Sequence, residues 1–175
     1  NAWLINDTFE DEIVFKTRPY QVEFNHATVS AAIALSQVTT KEASVGVLWA
    51  GSIPYYTGLK AYDFLGRADR HIASLPPDIS GSTAMRGMKS LPGHNKYDLD
   101  YSIFKLEPTY VQEARWGRDN VLEKVKKNYV GVWYKGVPLT FKKDSPFVKW
   151  DQIEKGSKPS PYAGPLPGGR TSLIP

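Results

Sequence analysis

The acid and imidazole side chains that cluster in this sequence lie in two stretches, residues 63–71 and 94–98. They are Asp63, Asp69, His71, His94 and Asp98. A histidine oriented by an aspartate can act as a general base, but no serine in a Gly-x-Ser-x-Gly context accompanies either histidine. A metal would need three or more ligands at about 2.0 to 2.2 Å, and no pair has a familiar ligand spacing. Aspartates that cap helices and pair with cations are the alternative, and we therefore predict neither a catalytic residue nor a metal site.

The second stretch belongs to "LPGHNKYD", residues 91–98. Pro92-Gly93 predicts a turn, and His94 and Lys96 would present donors at the N-terminus of a helix that Tyr97 anchors in the core. A helix N-terminus favours an anion by roughly 0.3 to 1 kcal/mol. This spacing predicts a site for a phosphate or a carboxylate.

Aromatic residues and a glycine gather in "WAGSIPYY", residues 49–56. Gly51 either shapes a turn or lets backbone N–H groups face an anionic ligand. The pattern is neither a Walker loop nor Gly-x-Gly-x-x-Gly, so nucleotide binding has no specific support. Trp49, Tyr55 and Tyr56 are typical of core and rim packing, or of a platform for a sugar or a lipid headgroup.

The elements that must position these residues alternate between strands and helices. An almost continuous apolar run predicts a central strand over residues 44–51, with further strands over 60–66 and 109–114. Apolar residues at helical spacing predict a helix from Asn25 to about Thr39. Shorter helices are predicted directly after caps at Asp69 and Asn120, and a further helix from Asn95 or Lys96 that ends before Pro108.

The last part of the fold is predicted to be a hairpin around Lys135-Gly136, with Pro138 placing its second arm at a sheet edge. Residues 9–24 predict a short strand or an extended entry. The fold class is α/β, a small sandwich with a mixed sheet that is parallel in the middle and has an antiparallel hairpin at one edge. Because ligands gather at the carboxyl ends of parallel strands, the segments after the three central strands are expected to meet on one rim.

Composition excludes several functions. The 175 residues carry a formal charge of +4 and no cysteine, which excludes disulfides, zinc–thiolate sites and cysteine nucleophiles. Dispersed cations give nucleic-acid binding no support, no apolar run approaches the ~20 residues that span a bilayer, and no cofactor is predicted. We predict a single α/β domain over 1–154 and a Pro/Gly-rich C-terminal tail, 155–175, without regular structure. The opening Asn1-Ala2 suggests an excised piece of a longer protein.

Three blocks, "WAGSIPYYTGLKAYDFLGRADRHIA", "PGHNKYDLDY" and "LEPTYVQ", resemble the C-terminal extracytoplasmic domain of bacterial membrane glycosyltransferases of the GT-C class, the arabinofuranosyltransferase-like and family 39-like enzymes. The resemblance covers about residues 43 to 114. The matching positions are Ala50, Gly51, Pro54, Tyr55, Tyr56, Asp63, Leu65, Gly66, Asp69, Ile72, Ala73, Pro92, Gly93, His94, Lys96, Tyr97 and Asp98.

The resemblance implies a parent protein with many transmembrane helices that moves a sugar from a polyprenyl-phosphate carrier to a glycan or lipid, on the extracytoplasmic (periplasmic) side of the cytoplasmic membrane. In that class the catalytic acids lie in the membrane region, so this chain is not expected to transfer sugar alone. Its implied role is to cover the active site of its own transmembrane region and to help bind acceptor glycan or carrier headgroup, with His94 and Lys96 near phosphate and the aromatic residues near sugar.

Two other functions stay open: a stand-alone carbohydrate-binding or protein-interaction module, and an independent hydrolase using His94 with one of the aspartates. The ligand-binding residues predicted from the sequence are Trp49, Gly51, Tyr55, Tyr56, Asp63, Asp69, His71, His94, Lys96, Tyr97 and Asp98.

Overall fold

The computed structural model describes residues 20–80, 92–156, 163–166 and 170–173, with side chains over residues 25–80 and 92–153. Its strands are, in chain order, β1 (Ser44–Val47), β2 (Lys60–Asp63), β3 (Tyr110–Val111), β4 (Arg115–Trp116), β5 (Asp119–Asn120), β6 (Tyr129–Tyr134), β7 (Val137–Lys142), β8 (Ala163–Leu166) and β9 (Arg170–Leu173). Its helices are α1 (Tyr20–Val38), α2 (Ser52–Thr57), α3 (Arg70–Ser74), a π-helix (Asp100–Lys105), α4 (Leu122–Asn128) and α5 (Trp150–Gly156).

Five strands form a mixed sheet in the order β2-β1-β3-β7-β6. Strand β1 pairs in parallel with β2 and β3, so that Val47 lies opposite Asp63 and Gly46 opposite Val111. Strand β7 is antiparallel to β3, which it meets at Tyr110 and Phe141, and antiparallel to β6 along its whole length. The α/β fold with a parallel middle and an antiparallel hairpin at one edge is therefore confirmed.

Helices cover both faces of the sheet. On one face, α1 and α5 pack on alternate residues of the strands, such as Val45, Val130 and Phe141. On the other face, the π-helix and α4 pack on Phe64, Val111 and their neighbours. Strand β1 is buried on both faces, which is why its sequence is an unbroken apolar run rather than an alternating one.

Three helix starts differ from the sequence prediction. Helix α1 begins at Tyr20, inside the stretch predicted to be extended, whose residues 9–19 lie outside the described part of the chain. The π-helix begins at Asp100 instead of Asn95 or Lys96, because the Asp98 side chain accepts a hydrogen bond from the Tyr101 N–H and so caps its first turn. Helix α4 begins at Leu122, one residue later than predicted.

Two further predictions are wrong. Pro138 does not lie on an edge strand, since β7 sits between β3 and β6. The proline is tolerated there because the two-residue β3 pairs with β7 only at Phe141 and does not reach position 138. The C-terminal tail is not without regular structure either, since β8 and β9 form an antiparallel hairpin and β9 lies beside β6.

Candidate functional site

The segments that follow β1, β2 and β3 meet on one rim of the sheet, as the parallel topology requires. The chain turns one way after β1, toward β2, and the other way after β3, so a crevice opens between those two strand ends. Gln112 ties its two walls together, because its Oε1 accepts hydrogen bonds from the backbone N–H groups of Leu48 (2.9 Å) and Trp49 (3.0 Å). A cleft of about 540 Å³ lies here, bounded on one side by α1 and on another by the start of β7.

The buried wall of this cleft carries an unused hydroxyl. Tyr110 is only 5% exposed, and burial raises the pKa of its phenol, so the group stays a neutral donor and acceptor. No hydrogen bond of the described residues uses this hydroxyl. Because a phenol hydroxyl both donates and accepts, Tyr110, which lines the cleft, offers a partner for a ligand oxygen.

Polar groups on the β3 side face the same cleft. One Glu113 oxygen accepts from the backbone N–H groups of Ala114 and Arg115, at 2.9 and 3.1 Å, which fixes the carboxylate in position. The Arg115 guanidinium and the Gln112 side-chain N–H₂ have no partner among the described residues. The cleft therefore holds acceptors and planar donors close together, and its charges, Glu113 and Arg115, balance.

Two indole rings complete the cleft. Trp49 and Trp116 are perpendicular, with their centroids 5.5 Å apart. The His94 ring lies 5.7 Å from Trp49, and the Trp116 Nε1–H donates to the His94 carbonyl at 2.8 Å. Trp116 is fully buried and Trp49 half-buried, so the packing holds Trp49 in one orientation. Rigid aromatic walls beside a few polar groups are typical of sites that bind sugars or other amphipathic ligands.

A second hollow of about 420 Å³ lies on the β2 side of Trp49; we call it the Arg67 hollow, and its lining residues are Trp49, Ala50, Gly51, Asp63, Arg67 and Ala68. Asp63 has a structural role there, because its two carboxylate oxygens accept from the N–H groups of Leu65 (3.0 Å) and Ala68 (2.8 Å). One terminal nitrogen of Arg67 bonds the Gly93 carbonyl at 3.1 Å and His94 Nε2 at 3.2 Å.

That contact sets the hydrogen-bonding role of His94. A guanidinium has only donors, so His94 Nε2 accepts from Arg67, and in a neutral imidazole the proton is on Nδ1. The Nδ1 atom is buried without a hydrogen-bond partner. No described hydrogen bond or ion pair joins His94 to a carboxylate, so the arrangement that a histidine–aspartate hydrolase needs is absent from the described residues.

The stretch "PGHNKYD" forms hydrogen bonds to the segments that surround the rim. Lys96 Nζ donates to the Ala73 carbonyl at the end of α3, at 2.6 Å. The Asn95 carbonyl accepts from the Asp78 N–H at 2.6 Å. The Tyr97 hydroxyl makes a short hydrogen bond to Asp78 and accepts from the Arg118 N–H. Lys96, which the sequence suggested as a donor to an anion, thus donates to a backbone carbonyl of the protein itself.

The helix N-terminus that was expected to bind an anion is occupied by the protein's own carboxylates. Asp98 accepts from the Tyr101 N–H at 2.8 Å, and Asp119 accepts from the Leu99 N–H at 2.9 Å. Burial raises the pKa of Asp119, and the nearby Asp98 and Asp100 raise it further. A ligand phosphate would meet like charges here, so the geometry favours a structural role for this stretch.

Two other predicted site residues lie beside this stretch, away from the cleft. Asp69 caps α3 by accepting from the Ile72 N–H at 3.0 Å. His71 stacks on Tyr101 with ring centroids 4.0 Å apart, and its Nε2 is 3.8 Å from an Asp98 oxygen. These residues join α3 to the π-helix.

Tyr55 and Tyr56 line neither the cleft nor the Arg67 hollow. They form a perpendicular pair on α2, with centroids 5.0 Å apart, and are 81% and 59% exposed. They border a shallow surface region with Gly51. Trp49 and Asp63 line the Arg67 hollow together and the His94 ring lies beside Trp49, whereas Tyr55 lines neither the cleft nor that hollow.

The residues that sequence reasoning missed lie in β3 or shortly after it. Tyr110, Gln112, Glu113, Arg115 and Trp116 were noticed only as parts of a strand and its end. Their position could have identified them, because polar and aromatic residues at the carboxyl end of the third parallel strand are expected to face the crevice beside β1.

The described residues contain no group of three or more histidine, aspartate or glutamate side chains placed to hold a metal ion. Within the same ranges, none of the helices combines the length and the apolar character that crossing a membrane requires.

A family model described as "Domain of unknown function (DUF8728)" matches residues 16–150, well over half of the chain. The chain belongs to this family. The matched range includes the five-stranded sheet and the residues that line the cleft and the Arg67 hollow. No curated protein and no solved structure matches the chain.

Proposed function

We propose that this chain is a non-catalytic glycan-binding domain whose binding site is the cleft between β1 and β3. The observation that carries the proposal is the cleft's composition: the Tyr110 hydroxyl, the side-chain donors of Gln112 and Arg115, and the indole of Trp49. Sugars present hydroxyls that donate and accept in one plane and C–H faces that stack on aromatic rings, which this set matches.

The sequence resemblance supports a setting for this activity. We propose that the domain serves a polyprenyl-phosphate-dependent membrane glycosyltransferase by holding acceptor glycan near the membrane active site, on the extracytoplasmic side. The sequence blocks that resemble GT-C glycosyltransferases supply residues that line the rim or hold it in place, and we assign none of them the role of base or nucleophile. Upstream apolar segments of about 20 residues in the full reading frame would support this setting, and their absence would favour a stand-alone carbohydrate-binding module.

The test is direct binding of glycans to the 175-residue chain. A glycan array selects the sugar type, and titration calorimetry then compares the native chain with Arg115→Ala. Loss of a hydrogen bond from a charged donor is expected to weaken binding by about 10- to 100-fold. The Arg115 side chain is exposed and makes no hydrogen bond or ion pair with the described residues, so thermal unfolding should be unchanged.

Arg70→Ala is the matched control, because Arg70 is an exposed arginine that lines neither hollow. It should leave affinity unchanged. The double variant Tyr55→Ala/Tyr56→Ala should do the same. Glycan binding that depends on the two tyrosines and not on Arg115, or no binding to any glycan, would contradict the proposal.

A further inference from the structure

Trp49 is a shared wall of two hollows, and this suggests the length of the ligand. It lines both the cleft of about 540 Å³ and the Arg67 hollow of about 420 Å³. Each has the volume of a small-molecule site, about 300 to 1,000 Å³. We propose that the ligand is an extended glycan of at least two sugar residues that passes from the cleft, along Trp49, into the Arg67 hollow. This inference rests on the proposed glycan-binding function.

The Arg67 hollow offers donors in a fixed place. One terminal nitrogen of Arg67 is held by the Gly93 carbonyl and by His94 Nε2, while the other guanidinium N–H groups have no partner among the described residues. A guanidinium has five donors in a rigid fork, so fixing one nitrogen orients the rest. Binding a sugar oxygen then costs little side-chain entropy.

Asp63 has a structural role in this hollow, and Arg67 supplies the groups that would bind the ligand. Its carboxylate is only 4% exposed and is taken up by the Leu65 and Ala68 N–H groups. The hollow therefore presents donors to a ligand and no free carboxylate of Asp63. It suits the hydroxyl or ring oxygens of a second sugar residue.

A chain of contacts through Trp49 fixes the position of the two hollows relative to each other. The Trp49 ring contacts the His94 ring, His94 Nε2 contacts Arg67, and the Trp49 backbone N–H donates to Gln112 Oε1 in the cleft wall. A ligand that fills both sides gains the second set of contacts without a second loss of translational and rotational freedom. Affinity should therefore rise with chain length until both hollows are filled.

The test measures affinity by calorimetry for linear oligosaccharides of one to four units, made of the sugar type that the array selects. We expect at least a 10-fold rise between one unit and three, with a plateau afterwards. Arg67→Ala should lower affinity for the trisaccharide and leave that for the monosaccharide unchanged, whereas Arg115→Ala should lower both.

Arg67→Lys is the control for loss of stability, because a lysine at this position can still donate a hydrogen bond to the Gly93 carbonyl. If Arg67→Ala lowers the unfolding temperature, Arg67→Lys should keep it while still weakening trisaccharide binding. Equal affinity for one to four units would overturn the two-hollow inference and leave the glycan-binding proposal standing. No binding of any glycan would overturn both.

Discussion

Asp78 and Tyr97 show how single residues hold the rim together. The Tyr97 hydroxyl donates to Asp78, the Ser80 N–H donates to the same carboxylate at 3.0 Å, and Arg118 Nε lies 3.3 Å away. The Tyr97 hydrogen bond, then those of Ser80, and then the charge of Arg118 lower the pKa of Asp78 to about 2. Gly117, at a φ of +55°, lies against the Tyr97 ring, where a Cβ would collide with the phenol.

The pH dependence of stability follows from that shift. The folded pKa of Asp78, about 2, lies below the ordinary value of 3.8, so its ionised form stabilises the fold. This contribution is fully present above pH 3.8 and is lost as the pH falls toward 2. We expect Asp78→Asn to lower the unfolding temperature at neutral pH, and the difference from the native chain to shrink between pH 4 and pH 2.

The measurement is thermal unfolding of both chains across that pH range. Tyr97→Phe is the matched control, because it removes the largest cause of the pKa shift and keeps the ring in place. Its deficit should also shrink in acid. A deficit for Asp78→Asn that stays constant down to pH 2 would contradict this account.

For single residues, the sequence predicted local roles such as helix capping, but not contacts with residues that are distant in the chain. Asp69 is a helix cap, as its position before a helical stretch indicated, and the capping alternative also holds for Asp98. Lys96 was expected to present a donor to an anion and Tyr97 to anchor the helix, but their partners, Ala73 and Asp78, lie 23 and 19 residues away in the chain. Long-range partners of this kind leave no local pattern in one sequence.

Gln112 is the contact that joins two elements across the site. Its Oε1 accepts from two N–H groups at the end of β1, where the parallel ladder with β3 has stopped. The bonds therefore extend the pairing of β1 and β3 by a side chain in place of a backbone carbonyl. Without them, two backbone donors at the cleft wall would be unpaired.

We expect Gln112→Leu to destabilise the fold by about 1–3 kcal/mol, because it leaves these buried donors without an acceptor. Gln112→Glu keeps an oxygen at the same place and should retain stability. It also replaces the side-chain N–H₂ by an acceptor, so it should weaken glycan binding. Chemical denaturation measures the first effect and calorimetric titration the second.

The two variants separate structure from recognition. If Gln112→Leu unfolds at the same denaturant concentration as the native chain, Gln112 is not the link between β1 and β3. If Gln112→Glu binds glycan as tightly as the native chain, the amide does not face the ligand.

Strand identity and topology were accessible from the sequence because they depend on local pattern. The apolar run at β1, the short strands β2 and β3 and the hairpin β6–β7 all lie where hydrophobic periodicity predicted them. The interior position of β7 and the late start of the π-helix were not predictable, because the first depends on how far β3 extends and the second on Asp98. Gly46 shows the same limit: it looks like an ordinary strand residue, yet a Cβ there would lie 2.7 Å from Phe64 Cε1 and 2.9 Å from Pro108 Cγ.

On the scale of the whole molecule, the fold places its polar and aromatic groups at one rim, while two apolar layers fill the space on either side of the sheet. That rim was predictable, since it follows from parallel topology alone. Its content was predictable only in part. Trp49 was expected in the site, but the β3 side was missed because Tyr110 and Gln112 look like ordinary strand residues until β1 is placed beside them.

The measurement that tests the cleft most directly is an indole N–H spectrum of the ¹⁵N-labelled chain during titration with the glycan selected on the array. The five tryptophans provide internal controls. The cleft predicts that the Trp49 and Trp116 signals shift with glycan concentration, while those of Trp133, on the edge strand β6, and Trp150, on α5, stay in place. Trp49 and Trp116 signals that do not move at saturating glycan, or shifts confined to Trp133 or Trp150, would contradict a binding site between β1 and β3.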